Sequence, residues 1–382
     1  MDFELTPRQK QIRLAAREFA EGELVPIGKE CEAKGEFPRD IIKKAAQLGF
    51  IGVDIKKEYG GLGVGLLEHA IISEEFWRAE PGLGQVFSQT TFGAKELILF
   101  GNEEQKKKYL PPLVKGEWVM GFSITEPEAG SDAASAITRA ERVGDEYVIN
   151  GNKVMISNGT EAKFLLVYCL THPEETSKSK RHSILLVETD RPGYKADKIH
   201  GKMGLHASDT ANIFFNNVRV PKENLVGVEG NGFFQLMNFL DHSRVIIAAH
   251  AVGLAQGAME QAVNYVKKRK QFGKTIASFQ ITQFKVAEMA TLIETARDLT
   301  YKACWYVDRG TPDSQLSAMA KWWACNVAVR VVDEALQLHG GYGYLDDYPI
   351  ERYYRAAKLL EIYEGTKEIQ KLLIGRRILG VT

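Results

Sequence analysis

The spacing of apolar residues changes period twice along this 382-residue chain, and that double switch restricts the folds open to it. Up to about residue 115 apolar positions recur at helical intervals. Thr6-Pro7-Arg8-Gln9 offers a capping hydroxyl, a first-turn proline and a glutamine three residues beyond the cap, and Ile12, Ala15, Phe19 and Leu24 then keep the period. Pro38 and Arg39 open a second helix running to about Leu48. Tyr59-Gly60-Gly61-Leu62-Gly63 reads as a loop, and helices are predicted near 66–79, 82–101 and 103–113. From about residue 117 the period is two. Asn150-Gly151 between Tyr147–Ile149 and Lys153–Ile156 predicts a hairpin with a type I′ turn, and Phe164–Leu170, Ser183–Glu188 and Ala211–Val220 read as further strands. After Gly232 the helical period returns. Asp241-His242-Ser243-Arg244 reads as the start of a long helix crowded with small residues from Ala248 to Ala258, and helices near 280–309, 315–339 and 349–379 bring the number to four. The fold class expected is therefore mainly α with a central β-domain. A helical domain over 1–117 leads to an antiparallel β-domain of sandwich or barrel type over 118–230, then to a four-helix bundle over 231–382.

Composition excludes several classes of function. Lys+Arg and Asp+Glu both number 49, so no global field draws the chain to nucleic acid or an anionic membrane. Cys31, Cys169, Cys304 and Cys325 lie too far apart for a metal-ligand spacing or a disulfide framework. The opening Met1-Asp2-Phe3-Glu4 lacks the regions of a signal peptide, and no apolar run reaches the ~18 residues of a membrane span. A soluble cytoplasmic protein without a metal is expected, or one of the mitochondrial matrix if a transit peptide has been removed.

Five segments have residue types that can do chemistry. Phe122-Ser123-Ile124-Thr125-Glu126-Pro127-Glu128-Ala129-Gly130-Ser131-Asp132 runs a strand into a turn whose N–H groups and hydroxyls can meet a polar ring edge or phosphate, or which is simply a surface turn. Tyr363-Glu364-Gly365-Thr366 sets one carboxylate beside a glycine that admits a flat ring or backbone; a solvated helix-end Glu is the commoner fate of such a residue. Arg269-Lys270-Gln271-Phe272-Gly273-Lys274, with Gln280 following, suits a pyrophosphate or an ordinary basic helix end. Leu338-His339-Gly340-Gly341-Tyr342-Gly343-Tyr344 follows no strand, so it is not a dinucleotide fingerprint; it is a helix stop or a close approach to a cofactor. Asp241 and Ser243 are N-cap residue types, so a structural role accounts for them as well.

Taken together, in this order and at these separations, the segments resemble the acyl-CoA dehydrogenase family of flavoenzymes over essentially the whole chain. The resemblance implies FAD between the β-domain and the bundle, partly held by a second subunit of a homotetramer (a dimer of dimers). It implies that Phe122 through Ser131, Ile124 and Thr125 among them, line the ring edge, and that Met155, Ile156 and Ser157 stand where the family has Trp-Ile-Thr, with Met a departure. Arg269, Phe272 and Gln280, with Gln337, Gly340 and Gly341, would hold the adenosine diphosphate half, and Thr366 and Glu368 would meet the FAD near the active site. Asp241, Ser243, Arg244, Ser131, Tyr363 and Gly365 would lie along the acyl-CoA.

By the same resemblance Glu364 removes the α-proton of the thioester, its backbone N–H and a flavin ribityl hydroxyl steadying the thioester oxygen, while the β-hydride goes to flavin N5 and electrons pass to electron-transferring flavoprotein. Ser243 stands where isovaleryl-type and long-chain relatives carry their base, so the short- and medium-chain arrangement is implied. Leu83 and Gly84 stand near where glutaryl-type enzymes place a pairing arginine, which favours a monocarboxyl acyl-CoA, straight, branched or cyclic. Two other functions compete: an acyl-CoA oxidase that uses oxygen, and a catalytically silent member binding FAD or an acyl-CoA.

Overall fold

The computed structural model describes residues 4–381, so the opening Met1–Phe3 lies outside it. Helix α1 (Pro7–Phe19) begins with the expected reciprocal cap: Gln9 N–H donates to Thr6 Oγ1 at 3.2 Å, and Thr6 N–H to Gln9 Oε1 at 3.0 Å. Through a π-turn at Ala20–Leu24 it leads into α2 (Val25–Lys34), then α3 (Arg39–Gln47) and α4 (Leu66–Ala79). The single helix expected over 82–101 is two, α5 (Pro81–Thr90) and α6 (Ala94–Phe100), with α7 (Glu103–Val114) after them. Gly93 breaks it at φ 102°, and a Cβ there would lie 2.9 Å from the Met120 methyl, so the break seats the helices on the first strand.

The middle of the chain contains β1 (Met120–Ser123), β2 (Arg139–Val143), β3 (Glu146–Ser157), β4 (Phe164–Leu170), β5 (His182–Glu188), β6 (Tyr194–Lys198), β7 (Thr210–Pro221) and β8 (Leu225–Val226). They form one eight-stranded sheet in the order β6-β7-β3-β2-β4-β5-β8, with β1 parallel to β4. The hairpin expected at Asn150-Gly151 is not there. β3 passes straight through, and the register against β7 shifts between Ile149 and Gly151. Cross-strand contacts override turn propensity: Asn150 bonds Asn217, and a Cβ on Gly151 would come within 2.6 Å of Thr138 Oγ1. The turn lies instead before Glu146, where Gly144 takes φ 64°.

Helix α8 (Gly232–Lys268) starts nine residues earlier than Asp241-His242-Ser243-Arg244, which therefore sits inside it rather than capping it. Phe233–Leu240 contains no breaker, and the glycines before it provide the stop. Its small residues bring α4 backbone to backbone: a Cβ at Gly253 would lie 2.1 Å from Glu74 O, and one at Gly257 2.1 Å from Arg78 O. Arg78 pairs across the same junction with Glu260 at 2.7 Å, and ion pairs from later in the bundle reach the same end of α4, Arg297 to Glu74 at 3.0 Å and Arg352 to Glu80 at 2.8 Å. α9 (Gln280–Asp308) and α10 (Ser314–His339) follow. The helix expected over 349–379 is again two, α11 (Ile350–Leu360) and α12 (Lys367–Leu379), because Glu364 (φ 55°) and Gly365 (φ 89°) turn left-handed between them. Among the described residues no helix is long and apolar enough to cross a membrane, and no His/Cys/Asp/Glu group could hold a metal.

Candidate active site

The break between α11 and α12 carries a carboxylate, and buried side chains hold it in place. Gln370 Nε2, one turn into α12, donates to Glu364 O at 3.0 Å and to Gly365 O at 2.9 Å. Lys321 on α10, with no exposed surface, donates from Nζ to Gly365 O at 2.8 Å. A side chain at Gly365 would strike Gln370 Nε2 at 2.5 Å, so glycine serves both the left-handed turn and the clamp. The Glu364 N–H makes no hydrogen bond among the described residues and remains an available donor.

Ser243 Oγ on α8 donates to Glu364 Oε2 at 2.5 Å. Burial pushes the Glu364 carboxyl above the usual range, opposed by the Ser243 hydrogen bond and the positive charges of Arg244 and Lys321. Arg244 is itself buried, 3.5 Å from Asp241 Oδ1, and its Nε has no partner among the described residues. Asp241 also accepts from Ser314 Oγ at 2.5 Å. Of the residues expected along a substrate, Glu364, Gly365, Ser243, Arg244 and Asp241 thus converge. Tyr363 turns to Gln85 on α5 (3.3 Å), and Ser131 lies exposed at the end of its loop.

The 122–131 loop meets α8 one turn before Ser243, where Phe122 packs edge-on against Phe239 at 5.1 Å. A fully buried lysine fixes the loop. Lys153 Nζ bonds Ile124 O at 2.7 Å and Glu126 Oε1 at 2.9 Å, and the Glu126 carboxylate also accepts from Ile137 N–H and Thr138 N–H. Thr125 O accepts from Val154 N–H at 2.9 Å. Met155, at φ 59°, is 66% exposed beside buried Ile156 and half-buried Ser157, so most of its surface faces outward. Thr366 Oγ1 caps α12 by accepting from Ile369 N–H, and Glu368 is exposed in its first turn.

A second cleft, of about 480 Å³, lies at the far end of α8 and α10. Arg269 and Gln337 line it beside Gly340 and Gly341, where an added Cβ would project into open space. A guanidinium, an amide and side-chain-free backbone form a set that fits a diphosphate. Phe272, 91% exposed at a left-handed tip, and Gln280 stand outside the cleft. No hydrogen bond joins this cleft to the Glu364 cluster among the described residues. A third space, of about 60 Å³, runs between α4, α5–α6 and α8 and is bounded by Ser243.

Lys153, Lys321 and Gln370 were not singled out by the sequence. A lysine inside Met319-Ala320-Lys321-Trp322 interrupts an otherwise apolar stretch, and that interruption is the signal that could have marked it.

The sequence matches three family models: "Acyl-CoA dehydrogenase, N-terminal domain" over residues 6–117, "middle domain" over 121–218 and "C-terminal domain" over 230–379. It is 43% identical to the short-chain-specific acyl-CoA dehydrogenase of Clostridium acetobutylicum, covering 99% of this chain and 100% of the relative. It is also 43% identical to acryloyl-CoA reductase (NADH) of Anaerotignum propionicum, over 99% and 96% of the two chains. The solved butyryl-CoA dehydrogenase of Megasphaera elsdenii superposes with a TM-score of 0.95 at 38% identity, covering 99% and 100%.

Proposed function

This chain belongs to the acyl-CoA dehydrogenase family, and from that premise we propose that it oxidises the Cα–Cβ bond of a short-chain, monocarboxyl acyl-CoA thioester. One observation supports this reading above the others: a desolvated carboxylate, Glu364, is fixed by Ser243, a residue that itself lines the neighbouring pocket, with its own backbone N–H left free. Glu364 takes the α-proton. Its N–H is the donor available to a thioester oxygen, steadying the charge that develops as the proton leaves. Desolvation raises the basicity of the carboxylate toward that of so weak a carbon acid, while Ser243 and the nearby cations keep it ionisable.

FAD, when bound, supplies the acceptor for the β-hydride. The loop Phe122–Ser131, with Met155, Ile156, Ser157, Thr366 and Glu368, would receive its ring, and the Arg269–Gly341 cleft, with Phe272 and Gln280, its diphosphate. Because ring and diphosphate sets share no contact within one chain, the second is proposed to act on a neighbouring subunit's cofactor, in a homotetramer that passes electrons to electron-transferring flavoprotein. Should electrons flow in reverse, as the name of the acryloyl-CoA reductase relative says of that enzyme, Glu364 becomes the proton donor.

Anaerobic titration of the holoenzyme with straight, branched, cyclic and ω-substituted acyl-CoAs tests the reading. At least one should bleach the flavin absorbance; bleaching by none would overturn it.

Lys321 supplies a second check. Lys321→Met removes the clamp on Gly365 and a charge that holds the Glu364 pKa down. The acid limb of kcat/KM should move to higher pH, with turnover falling on the order of tenfold for a misaligned base. A lower rate with an unmoved limb would reduce Lys321 to a structural prop.

A further inference from the structure

The space beside Ser243 has an unexpectedly polar far end. Ser243, Ile246, Ile247 and His250 share one face of α8 at i, i+3, i+4 and i+7, so the lining extends about 10 Å along the helix from the Glu364 contact. Near Ser243 the lining mixes Phe239, Phe92 and the two isoleucines with His242, whose Nδ1 already bonds Asn238 O at 2.9 Å. At the other end His250, 1% exposed, stacks on Trp77 with ring centroids 4.8 Å apart, and neither of its ring nitrogens has a hydrogen-bond partner among the described residues. His69 of α4 lines the same space. Its Nδ1 also has no hydrogen-bond partner, and lies 3.8 Å from Asp54 Oδ1, beyond bonding reach.

Burial holds both imidazoles below their ordinary pKa, and His250 well below it, so each is neutral with one N–H donor and one bare nitrogen acceptor. A plain hydrocarbon terminus would leave these groups unpaired, the costly arrangement for buried polar atoms. A carboxylate could use the donors but would face Asp54, with Lys95 the sole lysine or arginine in the lining. A hydroxyl donates and accepts at once.

We propose that the far end of this pocket recognises a hydroxyl, so that the preferred substrate is an acyl-CoA whose acyl group carries an alcohol or phenol remote from the thioester. The inference rests on the acyl-CoA reading above and adds the acyl chemistry to it.

The test compares hexanoyl-CoA with its ω-hydroxy and ω-carboxy counterparts, using the FAD-loaded enzyme. kcat/KM is read by anaerobic bleaching, and binding by calorimetry on the Glu364→Gln holoenzyme, where turnover is suppressed. The ω-hydroxy thioester should be preferred on the order of 10- to 100-fold in both measurements. His250→Leu should cancel or reverse that preference; the wild-type comparison stands whether or not this variant folds. Equal binding of hexanoyl and ω-hydroxyhexanoyl thioesters would overturn the proposal, the imidazoles then meeting only water, while bleaching by either would leave the dehydrogenase reading intact. Preference for the ω-carboxy thioester would overturn it in favour of pairing with Lys95. Tight, selective binding of the hydroxy compound without bleaching by any thioester would support the pocket inference and sink the dehydrogenase reading.

Discussion

Glu364→Gln is expected to lower turnover of every acyl thioester by on the order of 10³- to 10⁴-fold, with FAD still bound and the thermal melt little changed. Glutamine keeps the volume of the side chain and an oxygen that can accept from Ser243 Oγ, so the local hydrogen bond survives. The backbone clamp survives too, because Lys321 and Gln370 hold carbonyls rather than the carboxylate. What disappears is the lone pair that takes the proton. Arg244 and Lys321 then face a neutral amide in place of an anion, so any effect on stability stays small beside the kinetic loss. The measurements are single-turnover bleaching and flavin content of the purified variant. Bleaching within tenfold of wild type would remove Glu364 from the role of base. Loss of flavin together with activity would make it a structural residue instead.

The α/β/α order was legible because burial imposes a period on each element, and so was the α1 cap, whose partners lie three residues apart. Misreadings arose where a distant partner outweighed a local preference. Asp241 and Ser243 are good cap types, yet they lie inside α8 because Ser314 and Glu364, 73 and 121 residues away, take up their oxygens. Asn150-Gly151 has turn chemistry, but β7 and Thr138 claim both residues for the ladder. The break at Glu364 was invisible for a related reason. A non-glycine residue at φ 55° is a local cost, met by buried donors from α10 and α12 that a linear pattern does not connect. Lys153 and Lys321 escaped notice since a lone lysine in a strand or helix ordinarily reads as solvent-facing. Each is in fact wholly buried against the carbonyl of a residue 29 or 44 positions away.

Lys153→Met should be the most destabilising of the substitutions considered, by about 3–5 kcal/mol, and should invert the pH dependence of stability at low pH. In the wild type burial, the largest single influence on Glu126, pushes its carboxyl up, and only the Lys153 charge acting together with the hydrogen bonds from Lys153 and the Ile137 and Thr138 N–H groups holds it below its ordinary 4.5. A depressed folded pKa contributes stability above the unfolded value, lost as pH falls through the folded one, so acidification below about 4.5 weakens the wild type at this site. Methionine fills much of the same space but leaves the 4%-exposed carboxylate with two backbone donors and no counter-charge. Burial then prevails and the Glu126 pKa rises above the unfolded value, so ionisation costs stability and moderate acidification from pH 8 toward 5 should recover part of the loss. Adding Glu126→Gln removes the stranded charge while keeping one acceptor, and should restore stability partly and flatten the pH response. Because Glu126 and Lys153 tie residues 124–138 to β3, flavin content should fall along with the melting temperature in the single variant and return partly in the double one. Equal melting temperatures for wild type and Lys153→Met across this pH range would mean that the buried pair does not hold the loop.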